Sequence, residues 1–201
     1  MLYYNVKQKT FCDFEVWQTQ ELNGDWLAVT DDDTKNAISA SITGGGKVWA
    51  ENGKLYWTGK APSPLHSWQE DKWVLDESKQ AKLRASQQAE VWGKIKQKRY
   101  QNCRGGVYVK SVDKWFHSDD ASRQQYTFMR TLPDFPPTAW KTMDNSFVEM
   151  TKALLNELSL AMFTHEQADF ANAERHRLAM LAVDNPLDYD YSTGWSAIYG
   201  A

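Results

Sequence analysis

A few short runs in this chain have the residue types that do chemistry. His117-Ser118-Asp119 holds the base, hydroxyl and carboxylate of a hydrolase triad. A triad, however, is assembled by the fold from distant positions, and adjacent residues point their side chains apart. We read the run as a strand end followed by a helix cap, because short oxygen side chains accept from free first-turn amides. Asp31-Asp32-Asp33 looks like a metal cluster. No further ligands follow at calcium-loop spacing, and the run suits the positive first turn of a helix capped by Thr30. Gly44-Gly45-Gly46 closes that helix, since no phosphate-loop pattern follows it. His66, His117, His165 and His176 fall in no HExxH or paired metal spacing. Cys12 and Cys103 are far apart with no base beside either, so two free thiols are expected. These patterns assign no catalytic residue, no metal and no cofactor, and the expectation is that the protein is not an enzyme.

Binding is the alternative to chemistry. The net charge is -3, and neither half of the chain is strongly basic. Lys94, Lys96, Lys98 and Arg99 lie near aromatics but read as a solvated helix end, so no nucleic-acid partner is expected. The opening MLYYNVKQKT has no apolar core of a secretory signal, and no run approaches the roughly 20 apolar residues of a membrane span. No membrane partner is expected. Tryptophan is the compositional outlier, with 10 in 201 residues. Trp serves as core filler and as interface anchor, because one rigid ring covers much area and carries one donor.

The elements that must position these residues are short strands and a few helices. Leu2–Val6 and Phe11–Trp17 read as strands, and Asn23-Gly24 as a hairpin turn before Trp26–Val29. Asn52-Gly53 is the strongest turn signal, joining Lys47–Ala50 to Leu55–Thr58. Trp68 and Trp73 flank an acidic turn. Asp76 starts a long proline-free helix, which we take as a spacer. Val107–Val109 and Trp115–His117 form a hairpin, a helix follows from Ser122 to Leu132, and Pro133, Pro136 and Pro137 stop it. A second hairpin pairs Thr138–Thr142 with Phe147–Met150, and Trp115 and Trp140 are expected to anchor the core of this region. Thr151 caps a helix to Phe163, and Thr164 with Gln167 forms a capping box for a last helix to Val183, giving a helical hairpin. The fold class expected is α+β. It comprises a mostly β module over 1–75, a connecting helix over 76–103 and a module over 104–201 of short β-hairpins plus the helical hairpin.

The phrase GGVYV…KWFHSDDASR…WKTMDNSFVEMT resembles the C-terminal domain common in bacteriophage tail proteins, including tail-fibre assembly proteins. That domain has a recurring phrase of GG-V, WFHSD-S-R and WKT-DG-SFVE-T. The similarity runs from Lys98 to Ala182. More loosely, Tyr3-Tyr4, Trp68, Trp73-Val74 and the helix from Asp76 are similar to the N-terminal part of those assembly proteins.

The resemblance implies a tail-fibre assembly chaperone that binds the C-terminal tip of a trimeric fibre and promotes its folding or trimerisation. It implies a site of action in the bacterial host cytoplasm, with retention on the fibre tip and a homo-oligomer both left open. The alternative is a permanent tail or fibre-tip component that contributes to host-surface binding. Candidate partner-binding residues are the aromatics whose burial within the chain is least assured: Trp68, Trp73, Tyr189, Tyr191, Trp195 and Tyr199. On that expectation, deleting Tyr189–Ala201 or changing Trp195 to Ala leaves the fold intact but weakens capture of the fibre tip.

Overall fold

The strands are short, and nearly every one pairs with its neighbour in sequence. In the computed structural model, which describes residues 1–13 and 25–200, β1 (Leu2–Asn5) sits between β2 (Thr10–Asp13) and β3 (Trp26–Val29). Four two-stranded antiparallel sheets follow: β4 (Val48–Glu51) with β5 (Lys54–Trp57), β6 (His66–Gln69) with β7 (Lys72–Leu75), β8 (Val107–Val109) with β9 (Lys114–Phe116), and β10 (Thr138–Lys141) with β11 (Phe147–Met150). Four helices accompany them among the described residues: α1 (Asp32–Thr43), α2 (Glu77–Asn102), α3 (Asp120–Thr131) and α4 (Lys152–Ala182). The class is α+β. The expected strand at Phe14–Trp17 and the turn at Asn23-Gly24 lie outside the described residues.

Local chemistry accounts for most element ends. Asn52 and Gly53 have φ of 49° and 74°, the left-handed pair that a tight hairpin turn requires. The residue that caps α1 is Asp31 rather than Thr30: its Oδ1 accepts from the Thr34 amide at 2.6 Å, and the Thr30 hydroxyl donates to its other oxygen. Asp76 caps α2 by accepting from the Ser78 and Lys79 amides. Asp119 caps α3 through the Ser122 amide, and Leu132 turns extended ahead of Pro133.

The chain divides into two units, Met1–Lys82 and Leu83–Ala201. In the first, Tyr4, Val29 and Ile38 form a small core with Phe11, Ile42 and Trp57 packed around it. In the second, Val107, Val109, Phe116, Tyr126, Met150, Leu154, Leu155, Leu158 and Met162 form one cluster. Val91, Ile95, Ala173 and Met180 form another. Helix α2 is therefore more than a spacer, because its Val91 and Ile95 lie buried against α4.

The helical hairpin expected over 151–183 is one continuous helix of 31 residues. Thr164 does not cap; its hydroxyl donates to the Leu160 carbonyl at 2.9 Å. No glycine or proline interrupts the stretch, so every amide there already has a helical partner and a capping box has nothing to satisfy. Thr151 does cap, accepting from the Leu154 amide. Trp115 also departs from expectation. Val107 and Phe116 pair on the buried face of the β8–β9 hairpin, whereas Trp115 pairs with Tyr108 on the opposite face and is only half-buried. Trp140 does pack on the core, its ring 5.2 Å from that of Tyr126.

Candidate functional site

The six aromatics singled out from sequence fall in three different settings. Trp68 and Trp73 face each other across β6–β7, with ring centroids 5.4 Å apart and 75° between planes. The Trp73 indole donates to the Thr58 carbonyl. Trp68 lines a cleft of about 510 Å³ with Trp49, Tyr4, Lys9, Lys47 and Asp71, and Trp73 does not. Tyr199 is partly exposed, edge-on to Trp115 at 6.1 Å.

Tyr189, Tyr191 and Trp195 are half-buried and pack on Val91, Ile95, Ala173 and Met180. The tail that carries them is bonded along its length. His176 bonds the Tyr189 hydroxyl through Nδ1 at 2.8 Å and the Thr193 carbonyl through Nε2 at 2.8 Å. Its ring stacks on Trp195 at 5.7 Å, and the Trp195 indole donates to the Tyr191 carbonyl. Asp169, fully buried, accepts from the Ser196 amide and from Asn102 Nδ2, each at 2.8 Å. Asn172 donates to the Thr193 carbonyl, and the Tyr199 amide to the Gly105 carbonyl. A Cβ on Gly105 would come within 2.5 Å of Ile198 Cγ2, so glycine is what lets the tail approach so closely. The expectation that the tail can be removed without cost does not survive these contacts.

Asp169, Asn172 and His176 escaped the sequence reading, although a signal was present. Met162, His165, Asp169, Asn172, His176 and Met180 recur three or four apart, a polar stripe continuing an apolar one. Polar residues at core spacing demand partners, and here the tail supplies them. His165 Nε2 lies 3.1 Å from Asp169 Oδ2 but is not aligned for a hydrogen bond; the attraction there is electrostatic and depends on protonation.

The triad-like run is structural. Ser118 Oγ accepts from the Gly106 amide and donates to the Cys103 carbonyl, while Asp119 is committed to its cap. Cys103 and Cys12 are buried free thiols. Burial, and then the nearby Asp169 and Glu166, push the Cys103 thiol up, which suppresses its thiolate. No group of three metal-ligating side chains comes together among the described residues. No helix there is long and apolar enough to cross a membrane.

A different surface is concave and partly aromatic. Two adjoining hollows, of about 360 and 590 Å³, share Gln125 of α3 and Trp140 of β10. Tyr126 supports their floor: its hydroxyl donates to the His117 carbonyl, and burial raises its pKa to about 12. Among the described residues β10 pairs with β11 alone. Just past its end the Met143 amide donates to the Trp115 carbonyl of β9 at 2.9 Å, so its other edge lacks a strand partner only over Ala139, Trp140 and Lys141, which line the smaller hollow. Phe128 and Phe147 stand beside the hollows, 64% and 65% exposed.

Short antiparallel hairpins and four helices among the described residues make this an α+β protein. The chain belongs to a family described as a domain of unknown function, DUF4376, whose model matches residues 86–193. No curated protein and no solved structure matches the chain.

Proposed function

We propose that this protein is a phage tail-fibre assembly chaperone, binding the C-terminal region of a trimeric fibre stoichiometrically while it folds. The observation that carries this reading is the open β10 edge over the Gln125–Trp140 hollows, flanked by exposed Phe128 and Phe147. An exposed edge takes an extended segment by strand addition, and the hollows accept its alternate side chains. A folding fibre presents such segments, because its pairings are non-local and its edges stay unpaired until the trimer closes. The resemblance noted above supports the same reading, since its SFVE phrase contains Phe147, a residue the core does not use. The Trp68 cleft favours a second reading, a permanent fibre-tip component, because ring faces beside Lys47 and Asp71 suit a host-surface saccharide.

The test is co-expression with a trimeric tail-fibre protein. Soluble trimeric fibre is expected only with this protein, in equimolar complex, and a Phe128→Ser/Phe147→Ser variant with unchanged melting should lose it. Fibre that folds equally well without the protein, or with trace amounts, would refute the proposal. Detection in purified virions would support the fibre-tip component.

A further inference from the structure

Helix α4 leaves much of one face uncovered, although the Arg99 guanidinium of α2 lies over the Phe170 ring, 3.9 Å from its centroid. Leu160, Phe163, Phe170, Leu178 and Leu181 are 65%, 59%, 46%, 67% and 40% exposed. Gln167, Ala171 and Glu174 are exposed on the same face and complete the stripe. The positions step 3-4-3-1-3-4-3 along the helix. The set therefore repeats every 11 residues: Leu160 to Ala171, Phe163 to Glu174, Gln167 to Leu178 and Phe170 to Leu181. An 11-residue repeat advances at about 3.67 residues per turn, so the stripe stays on one face of a nearly straight helix.

The spacing also reads the same from both ends. Leu160 mirrors Leu181, Phe163 mirrors Leu178, Gln167 mirrors Glu174, and Phe170 mirrors Ala171. In a two-fold antiparallel contact residue i meets j while j meets i, so this spacing sets the mirrored positions of the stripe against each other. The mirrored pairs are matched in chemistry as well. Leucines meet leucines or phenylalanine, the large Phe170 meets the small Ala171, and the Gln167 amide can donate to the Glu174 carboxylate. Glu174 carries its own counter-ion, Arg177, at 3.1 Å.

The geometry points to this face of α4 as the interface with a second copy of this chain, lying antiparallel, with the two-fold axis passing between Phe170 and Ala171. The stripe is about 32 Å long, at ~1.5 Å per residue. Its five large apolar side chains expose roughly 500 Å² per copy, taking ~200 Å² for a free side chain of this size. Two copies together reach the roughly 1,000 Å² that a specific interface needs. The dimer face is separate from the β10 edge, so this inference and the chaperone reading stand or fall independently.

Sedimentation of the full chain at roughly 100 µM, where an interface of ~1,000 Å² should be populated, is expected to give twice the 23.2 kDa chain mass. Phe163→Glu/Leu178→Glu sets acids against acids and should give a monomer with unchanged melting. Orientation is read by oxidative cross-linking. Ala171→Cys, beside the axis, should link to its own copy, and Leu160→Cys, which faces Leu181, should not. The parent chain is the control, because Cys12 and Cys103 are buried. A wild-type monomer, a variant that stays dimeric, or a Leu160→Cys chain that links as readily as Ala171→Cys would overturn the assignment. So would a wild-type monomer whose acidic variant loses fibre capture, which would give the stripe to the fibre.

Discussion

The tail and the face formed by α3 with β10–β11 are both rich in aromatic residues, yet the second unit treats them in opposite ways. In the tail, Tyr189 and Trp195 carry polar tips, and each tip has a partner: His176 for the Tyr189 hydroxyl, the Tyr191 carbonyl for the Trp195 indole. Satisfied tips allow the rings to be buried. Phe128 and Phe147 have no tips to satisfy and could be buried at no polar cost, yet they stand in solvent. Tyr189, Tyr191 and Trp195 looked like contact residues by type; in the fold they pack on the α2–α4 core, while Phe128 and Phe147 are exposed. Residue type sets what a side chain can do, but a contact surface is recognised by apolar area left uncovered.

Removing the acceptor that holds the tail should have the largest effect. Asp169→Ala leaves the Ser196 amide without its buried partner and Asn102 Nδ2 with the Ser196 carbonyl alone, and should cost the second unit about 3 kcal/mol or more. Urea unfolding would read it, and a midpoint equal to that of the parent would show that the tail is not held as described. Trp195→Ala should cost about 2–3 kcal/mol, since the ring is half-buried yet stacks on His176 and packs on the α2–α4 core. The same substitution should leave fibre capture per folded molecule unchanged. The opposite pattern, normal melting with lost capture, would return the tail to the interface.

Phe128→Ser/Phe147→Ser sharpens the comparison from the other side. Its melting should lie within about 0.5 kcal/mol of the parent, as for surface changes generally. Its capture of fibre should fall at least roughly tenfold, the expectation for losing interface anchors.

The smallest effect is electrostatic and distinguishes neither region. Ser78 and Ser67 hydroxyls, with the Lys79 amide, hold the Asp76 carboxyl below the usual carboxylate range. Lys114, with Thr142 and Ser146, does the same for Asp144. Depressed acids contribute stability above their unfolded pKa of about 3.8 and lose it as pH falls through their folded values. Melting temperature should thus be flat above about pH 5 and decline below pH 4. Asp144→Asn should flatten that decline for the second unit only, as read by a melt at each pH.

How much could be read in the sequence depended on the range of the interaction concerned. The turn at Asn52-Gly53, the caps at Asp119 and Thr151, and the stop at Pro133 are decided within about four residues, by backbone sterics and by which amides lack partners. The hairpins β4–β5, β6–β7, β8–β9 and β10–β11 were legible for the same reason, as was the α+β class. Thr164 shows the limit of such signals: capping-box chemistry is real only where a helix begins, and whether one begins is settled by packing on either side. Helix α4 runs straight through because its one face serves two cores, Leu154 to Met162 in one and Ala173 to Met180 in the other. The role of Asp169 and His176, the docking of the tail and the exposure of Phe147 join residues 13 to 94 positions apart or turn on which of two hairpin faces meets the core. By itself the sequence determined the kinds of element and where they start and stop, because those choices are local. Only the tertiary structure decided which aromatics became core and which became surface, because burial depends on what the rest of the chain brings to each face.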